Sequence, residues 1–445
     1  MRMSWERLLN PARLGSRKAH DETARSPFHK DYDRIVFSGA FRQLNRKTQV
    51  HPLSLHDTVH TRLTHSLEVS CVGRSMGMLA AEKIRDDLPA WVSPADMGAI
   101  IQAACLAHDI GNPPFGHAGE YAIRDWFLHP AQSPLIAWLP PAQAADLCQF
   151  EGNAQGLRIL TQLEYHPGQG GMRLTYATLG AYLKYPWLSQ PLTGGVASHK
   201  RAKFGCYHTE KQILATIAGQ LGLIPQGEFR WCRHPLAYLM EAADDICYTL
   251  IDLEDGITLG MLRYEEVEPL FLQLLDDLPS PPELRQPGSQ PQKIAALRGK
   301  AIEKLVNAVT DAFATHQDLL LEGRLEGSLL DYCSPALADG INTAKQLARE
   351  RIFNHPQKAQ LELAAYASLH SLLDSFSELV SSAFRRQPLS FKLQRLQQLL
   401  GGHSLEHDDL YLGLMHMLDF ISSLSDHHAL TLSQSLQGMQ SAASG

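Results

Sequence analysis

Apolar residues recur at helical spacing through eight segments of this chain: 66–85, 97–108, 152–164, 208–221, 236–254, 296–323, 358–384 and 407–424. Spacing of this kind buries one stripe of a helix and leaves the opposite face in water. Alternating, strand-like runs are scarce; "MRLTYATLG" (172–180) is the best short candidate and fits either state. The expected fold is therefore all-α. Proline and glycine cluster at 130–141, 166–171, 186–195 and 278–292, where they break helices. The stretch "PSPPELRQPGSQPQ" (279–292) reads as a linker, predicting a motif-rich region over 1–278 and a C-terminal helical region over 293–445. The tail "SQSLQGMQSAASG" is small and polar and is expected to fray.

One of these helices ends unusually. In "CLAHDIGNPPFGHAGE" (105–120) an apolar run reaches His108 and Asp109, then meets "GNPP", which cannot continue a helix. Either the pair faces water as a helix-end cap, or a charge sits where the helix stops. Three more pieces bear on the choice. His65 opens a helix in "HTRLTHSLEVS", His117 and Glu120 follow in "FGHAGE", and "MEAADDICYTLIDLEDG" carries Asp244, Tyr248 and Asp252. The last three are spaced i, i+4 and i+8, so acid, phenol and second acid share one helical stripe. Each piece alone reads as a cap or a solvated polar group. The tandem Asp244-Asp245 is the awkward one, because it follows apolar residues inside a helix. Imidazole and carboxylate donors together suit a divalent first-row metal with open positions for water or substrate.

These residues carry a resemblance. The order H…HD…D, with "RLTHSLEV", "AHDIGNPPFGHAGE", "FEGNAQGLRIL" and "EAADDICYTLIDLEDG", resembles the bacterial dGTPase family, triphosphohydrolases of the HD superfamily. "DYDRIVFSGAFRQLNRKTQV" resembles that family's N-terminal signature, and the likeness covers about residues 28 to 260. It implies a helical HD-domain phosphohydrolase core with additional C-terminal helices. It also implies hydrolysis of a deoxynucleoside triphosphate, dGTP above all, to deoxynucleoside and intact triphosphate. Carried over residue by residue, it makes His65, His108, Asp109 and Asp244 the ligands of Mg²⁺, Mn²⁺ or another first-row ion. His117 and Glu120 become a catalytic dyad in which a carboxylate orients a proton-carrying imidazole. Arg62 is placed at the α-phosphate, Gln49 at the 3′-hydroxyl and Val50 against C2′. Tyr248 and Asp252 lie beside phosphate and sugar. Asn153, Lys184 and Lys203 fit phosphate or nucleoside contacts by local context, an exposed surface charge being the other reading of either lysine. Asn112 stands where animal dNTP hydrolases of the superfamily carry a histidine, leaving His117 as the proton carrier. The resemblance further implies a homo-oligomer, tetramer or hexamer, and allows a nucleotide activator.

Composition adds bounds. Seven cysteines without a C-x-x-C pair lead us to expect a reduced, cytoplasmic protein rather than a disulfide or zinc-ribbon scaffold. No apolar run approaches the ~20 residues that span a bilayer, and the N-terminus lacks a signal-like apolar stretch. Net charge is −7, yet residues 1–62 carry twelve Lys/Arg against six Asp/Glu. That local excess allows a weak contact with single-stranded DNA; a solvated basic surface is the plain alternative. Two other functions remain open at this point. One is an HD phosphohydrolase acting on another nucleotide. The other is a nucleotide- or single-stranded-DNA-binding regulator with a structural metal, for which a His117–Glu120 proton relay has no use.

Overall fold

The computed structural model describes residues 1–16, 25–49, 59–191, 203–275, 284, 288–401 and 409–439. The chain is all-α. The elements that build the site are α1 (Pro27–Val36), α2 (Arg62–Lys83), α3 (Pro94–Ala107), α4 (Gly116–Leu128), α5 (Gly152–Arg158), α6 (Tyr176–Tyr182), α7 (Pro235–Thr258), α8 (Gln290–Thr315), α9 (Pro335–Ala348), α10 (Pro356–Phe384), α11 (Leu410–Ser423) and α12 (Asp426–Leu436). A two-stranded antiparallel hairpin, Pro225–Gly227 with Arg230–Trp231, is the only sheet among the described residues.

The segment 172–180 resolves as helix. Thr175 accepts from the Thr178 N–H as an N-cap, and the small residues behind it form α6. Its extended character survives as one isolated bridge between Thr175 and Arg13. Much of the 279–292 stretch lies outside the described residues, but its last three positions already belong to α8, with Ser289 as N-cap and proline in the first turn.

Helices α2 and α3 form the tightest pair. Both begin on capping boxes, Thr61 with Thr64 and Ser93 with Asp96, which satisfy the first orphan N–H groups. Between them runs a seam of small residues. A Cβ on Gly77 would lie 2.8 Å from the Gly98 Cα, so any larger side chain there would force the helices apart. Burial of α3 is nearly complete, from Met97 to Ala107. Each large aliphatic side chain so buried contributes about 1.5–3 kcal/mol.

Two hydrophobic clusters result. The first gathers α2, α3, α6, α7, α8 and α9. The second gathers α4, Leu147–Phe150, Phe204, Tyr207 and α10 to α12. The turn that follows α3 passes from one cluster to the other, because Ile110 belongs to the first and Phe115 to the second. No described helix is long and apolar enough to cross a membrane.

Candidate active site

Helix α3 stops at its His108 C-cap. The His108 Nδ1 pairs with the Cys105 carbonyl at 2.6 Å, a bond that requires Nδ1–H to donate and turns Nε2 toward the neighbouring side chains. That Nε2 lies 3.4 Å from Asp244 Oδ1 on α7, and the His65 Nε2 on α2 lies 3.1 Å from the same oxygen. His65, His108 and Asp244 each bring a donor atom within 4.8 Å of the others, an arrangement that could hold a metal ion. The donors thus fit an imidazole–carboxylate site. Asp109 stands at its edge. Its Oδ1 is 3.6 Å from His108 Nε2 and accepts from Asn112, while its Oδ2 takes the Arg62 guanidinium at 2.7 Å.

Charge in the group is balanced internally. Burial works against ionisation of Asp244, yet His108 and His65 hold its carboxyl well below the ordinary range. Burial likewise opposes a charged His108, but Asp109 and Asp244 raise it to about 9. Of the tandem acids only Asp244 reaches the histidines; Asp245 Oδ2 accepts from Lys345 at 3.0 Å.

A cavity of about 320 Å³ opens beside this group. Gln49, Arg62, His108, Asp109, His117, Glu120, Asn153, Lys184, Lys203, Asp244 and Tyr248 all line it. His65 reaches Asp244 from behind the wall. Asp252, 2% exposed, is not among the lining residues, and burial followed by Asp255 raises its carboxyl well above the ordinary range. Val50 lies outside the described residues.

His117, in the first turn of α4, is exposed to the cavity. The walls around it nevertheless lower its pKa, with Glu120 pulling up and Lys203 and Arg62 pulling down. Among the described residues His117 and Glu120 share no hydrogen bond. Glu120 Oε1 instead accepts the Gly152 N–H at 2.7 Å, and its Oε2 faces Arg124 at 3.5 Å and Lys203 at 3.7 Å. The dyad is therefore coupled through charge.

Sequence reasoning missed several lining residues. Glu151 binds Lys203 at 3.0 Å and Asn153 at 2.7 Å, so both candidate phosphate contacts rest on one carboxylate. Lys184 rests in the same way on Glu241, at 3.2 Å. Phe353 stacks on Tyr248 with ring centroids 5.6 Å apart and 8° between planes. Lys358 covers the Phe353 ring at 4.5 Å and pairs with Glu362 at 3.6 Å. Glu151 was visible in "FEGN", next to Asn153, as an acid before a helix start. Glu241, behind the wall, opens the quoted "EAADD" stretch, and nothing in the sequence signalled Phe353, Lys358 or Glu362.

Comparison with known proteins decides the family. Residues 62–169 match the HD domain, and that stretch contains His65, His108 and Asp109. A deoxyguanosinetriphosphate triphosphohydrolase-like protein of Pseudomonas aeruginosa is 49% identical over 445 residues, covering 99% of this chain and all of the relative. The chain belongs to the deoxyguanosinetriphosphate triphosphohydrolase family. A like protein of Synechocystis is 40% identical over 98% of the chain and all of its own length. The deoxyguanosinetriphosphate triphosphohydrolase of Klebsiella pneumoniae is 33% identical over 85% of the chain and 84% of its own. The likeness thus continues past residue 260 and through the C-terminal helices. This dGTPase-family chain is an enzyme, a phosphohydrolase of the HD superfamily.

Proposed function

We propose that the chain hydrolyses deoxynucleoside triphosphates, dGTP foremost, to deoxynucleoside and triphosphate. The observation that carries this reading is a single cleft shared by the His65–His108–Asp244 group, Arg62 and an accessible His117. Mg²⁺ or Mn²⁺ held by His65, His108, Asp244 and Asp109 would supply Lewis acidity and an activated water for attack at the α-phosphorus.

The chain's own residues do the rest. Arg62 is 4% exposed and already held by Asp109, so its planar fork is preset for an α-phosphate oxygen. Its Nε is buried without a protein partner, a donor left over for an anion. Lys184, Lys203 and Asn153 take the outer phosphates by leaving Glu241 and Glu151. His117 delivers a proton to the departing 5′ oxygen. Gln49 Oε1 is a buried acceptor in the cavity wall without a partner, which suits a sugar hydroxyl as donor. Tyr248 and Phe353 offer flat apolar faces to a base. The reading also carries a cytoplasmic homo-oligomer of four or six chains, with a nucleotide activator and weak single-strand contact as further properties.

The test is an anion-exchange product assay on each dNTP with Mg²⁺ or Mn²⁺, run in ¹⁸O-water. Attack at the α-phosphorus keeps three phosphates joined and puts the label in triphosphate, never in the nucleoside. Pyrophosphate or orthophosphate as the first product, or label in the nucleoside, would overturn it.

A further inference from the structure

We propose that Asp426 is a positioning residue for this reaction, clamping the Gln49 segment to the start of the helix that carries His117. Asp426 opens α12, far from the cleft in sequence, and is 2% exposed. An acid in a first helical turn is ordinarily a macrodipole partner for its own helix. This one points away. Its Oδ1 accepts the Phe115 N–H at 2.8 Å, and its Oδ2 accepts the Thr48 N–H at 3.0 Å and the Thr48 hydroxyl at 2.6 Å.

Both targets sit next to the chemistry. Phe115 is the N-cap of α4, two residues before His117, and holds a left-handed φ of 64°. That conformation is costly for a bulky side chain and persists only when neighbours hold it. Thr48 directly precedes Gln49, and both line the cavity. A second tie repeats the pattern. The buried Lys47 Nζ donates to the Asn112 carbonyl at 2.7 Å and to the Ser422 carbonyl of α11 at 2.5 Å. The corner between α11 and α12 therefore grips the proton-carrying side and the sugar side of the cleft together. One carboxylate sets the distance between them.

The inference rests on the roles given above to His117 and Gln49, so its test has an arm that needs no activity. Asp426→Asn keeps shape but turns a donor toward a donor, at Phe115 or at Thr48. Turnover of dGTP is expected to fall roughly 10- to 100-fold, with KM moving less than about threefold, since the phosphates anchor binding. Hydrogen exchange in peptides covering 44–49 and 112–118 should quicken together, while that of α2 stays unchanged. Thr48→Val removes only the hydroxyl contact. It should shift the preference for deoxyribonucleotide over ribonucleotide and lower dGTP turnover less than Asp426→Asn does. Unchanged turnover and exchange in Asp426→Asn would overturn the clamp. So would loosening throughout the chain, which is a stability role alone. If Asp426→Asn does not fold, the sugar preference of Thr48→Val decides, an unaltered ratio counting against the clamp. If wild-type enzyme makes no triphosphate, the reaction assignment fails and the exchange experiment alone judges the clamp.

Discussion

The two walls of the cleft are built differently. One comes from α2, α3 and α7, long helices of the first hydrophobic cluster, and presents two imidazoles and a carboxylate that already satisfy one another. The other comes from short pieces, namely the start of α4, Glu151–Asn153, Lys184, Lys203 and the entry to α10. Its cations are parked on carboxylates, Lys184 on Glu241 and Lys203 on Glu151. The first wall is preformed around a place for positive charge. On the proposed function, the second trades ion pairs for phosphate contacts when substrate enters, and would tune affinity and timing. Damage to the first should abolish the reaction, and damage to the second should grade it.

The largest effect is expected at the first wall. His108→Ala and Asp244→Ala should each lose bound metal and all measurable triphosphate release while far-UV circular dichroism keeps its helical signal. Removing one donor breaks the group of His65, His108 and Asp244 that could hold the ion. Elemental analysis showing full metal occupancy in both variants would sink the ligand assignment.

Next comes His117→Ala on the second wall. Metal and dNTP binding should survive, and turnover should fall roughly 10²–10⁴-fold, the usual worth of general acid–base assistance. Calorimetric binding of dGTP alongside single-turnover rates separates the two. A matching loss of affinity would mean that the histidine binds rather than transfers a proton.

The walls also differ in how far the sequence discloses them. Helices α2, α3 and α7 follow from apolar periodicity over 66–85, 97–108 and 236–254, although the capped starts of α2 and α3 lie a few residues earlier, at Thr61 and Ser93. His108 is marked by its place at the end of a buried helix, while His65 and the choice of Asp244 over Asp245 come from the order of the pieces and the family resemblance. The second wall is assembled by tertiary contact alone. Phe353 leaves a π-helical turn at Arg349–Phe353 to meet Tyr248, and Asp426 crosses from the far end of the chain to Phe115. No local pattern encodes such meetings. Glu120 shows the limit within a motif. Its spacing from His117 was readable, but its hydrogen bond to Gly152 and its neighbours Arg124 and Lys203 were not.

Selectivity should respond more mildly. Phe353→Ala removes the face stacked on Tyr248 and should narrow the rate differences between dNTPs by roughly tenfold, the scale of one aromatic contact. Val50→Ala, at the position that the family resemblance sets against C2′, should raise ribonucleotide turnover relative to dNTP, because exclusion weakens when the wall shrinks. Competition assays with paired substrates read both ratios. Unchanged ratios would move base and sugar recognition elsewhere.

The smallest and most diagnostic effect concerns the proton on His117. Burial lowers its pKa, Glu120 opposes that fall, and Lys203 deepens it. Glu120→Gln removes the opposing charge, so the His117 pKa should drop further. Lys203→Met removes a lowering charge, so the pKa should rise. A general acid works only while protonated, so kcat/KM should be lost at lower pH in Glu120→Gln and at higher pH in Lys203→Met. The position of that limb is the reading, since Lys203→Met also removes the phosphate contact proposed for Lys203 and should raise KM. NMR titration of labelled histidine, assigned by the signal missing in His117→Ala, follows the same proton without turnover. Shifts of one sign in both variants would mean that Glu120 and Lys203 act on His117 through geometry. Opposite shifts would establish that the second wall tunes its proton by charge.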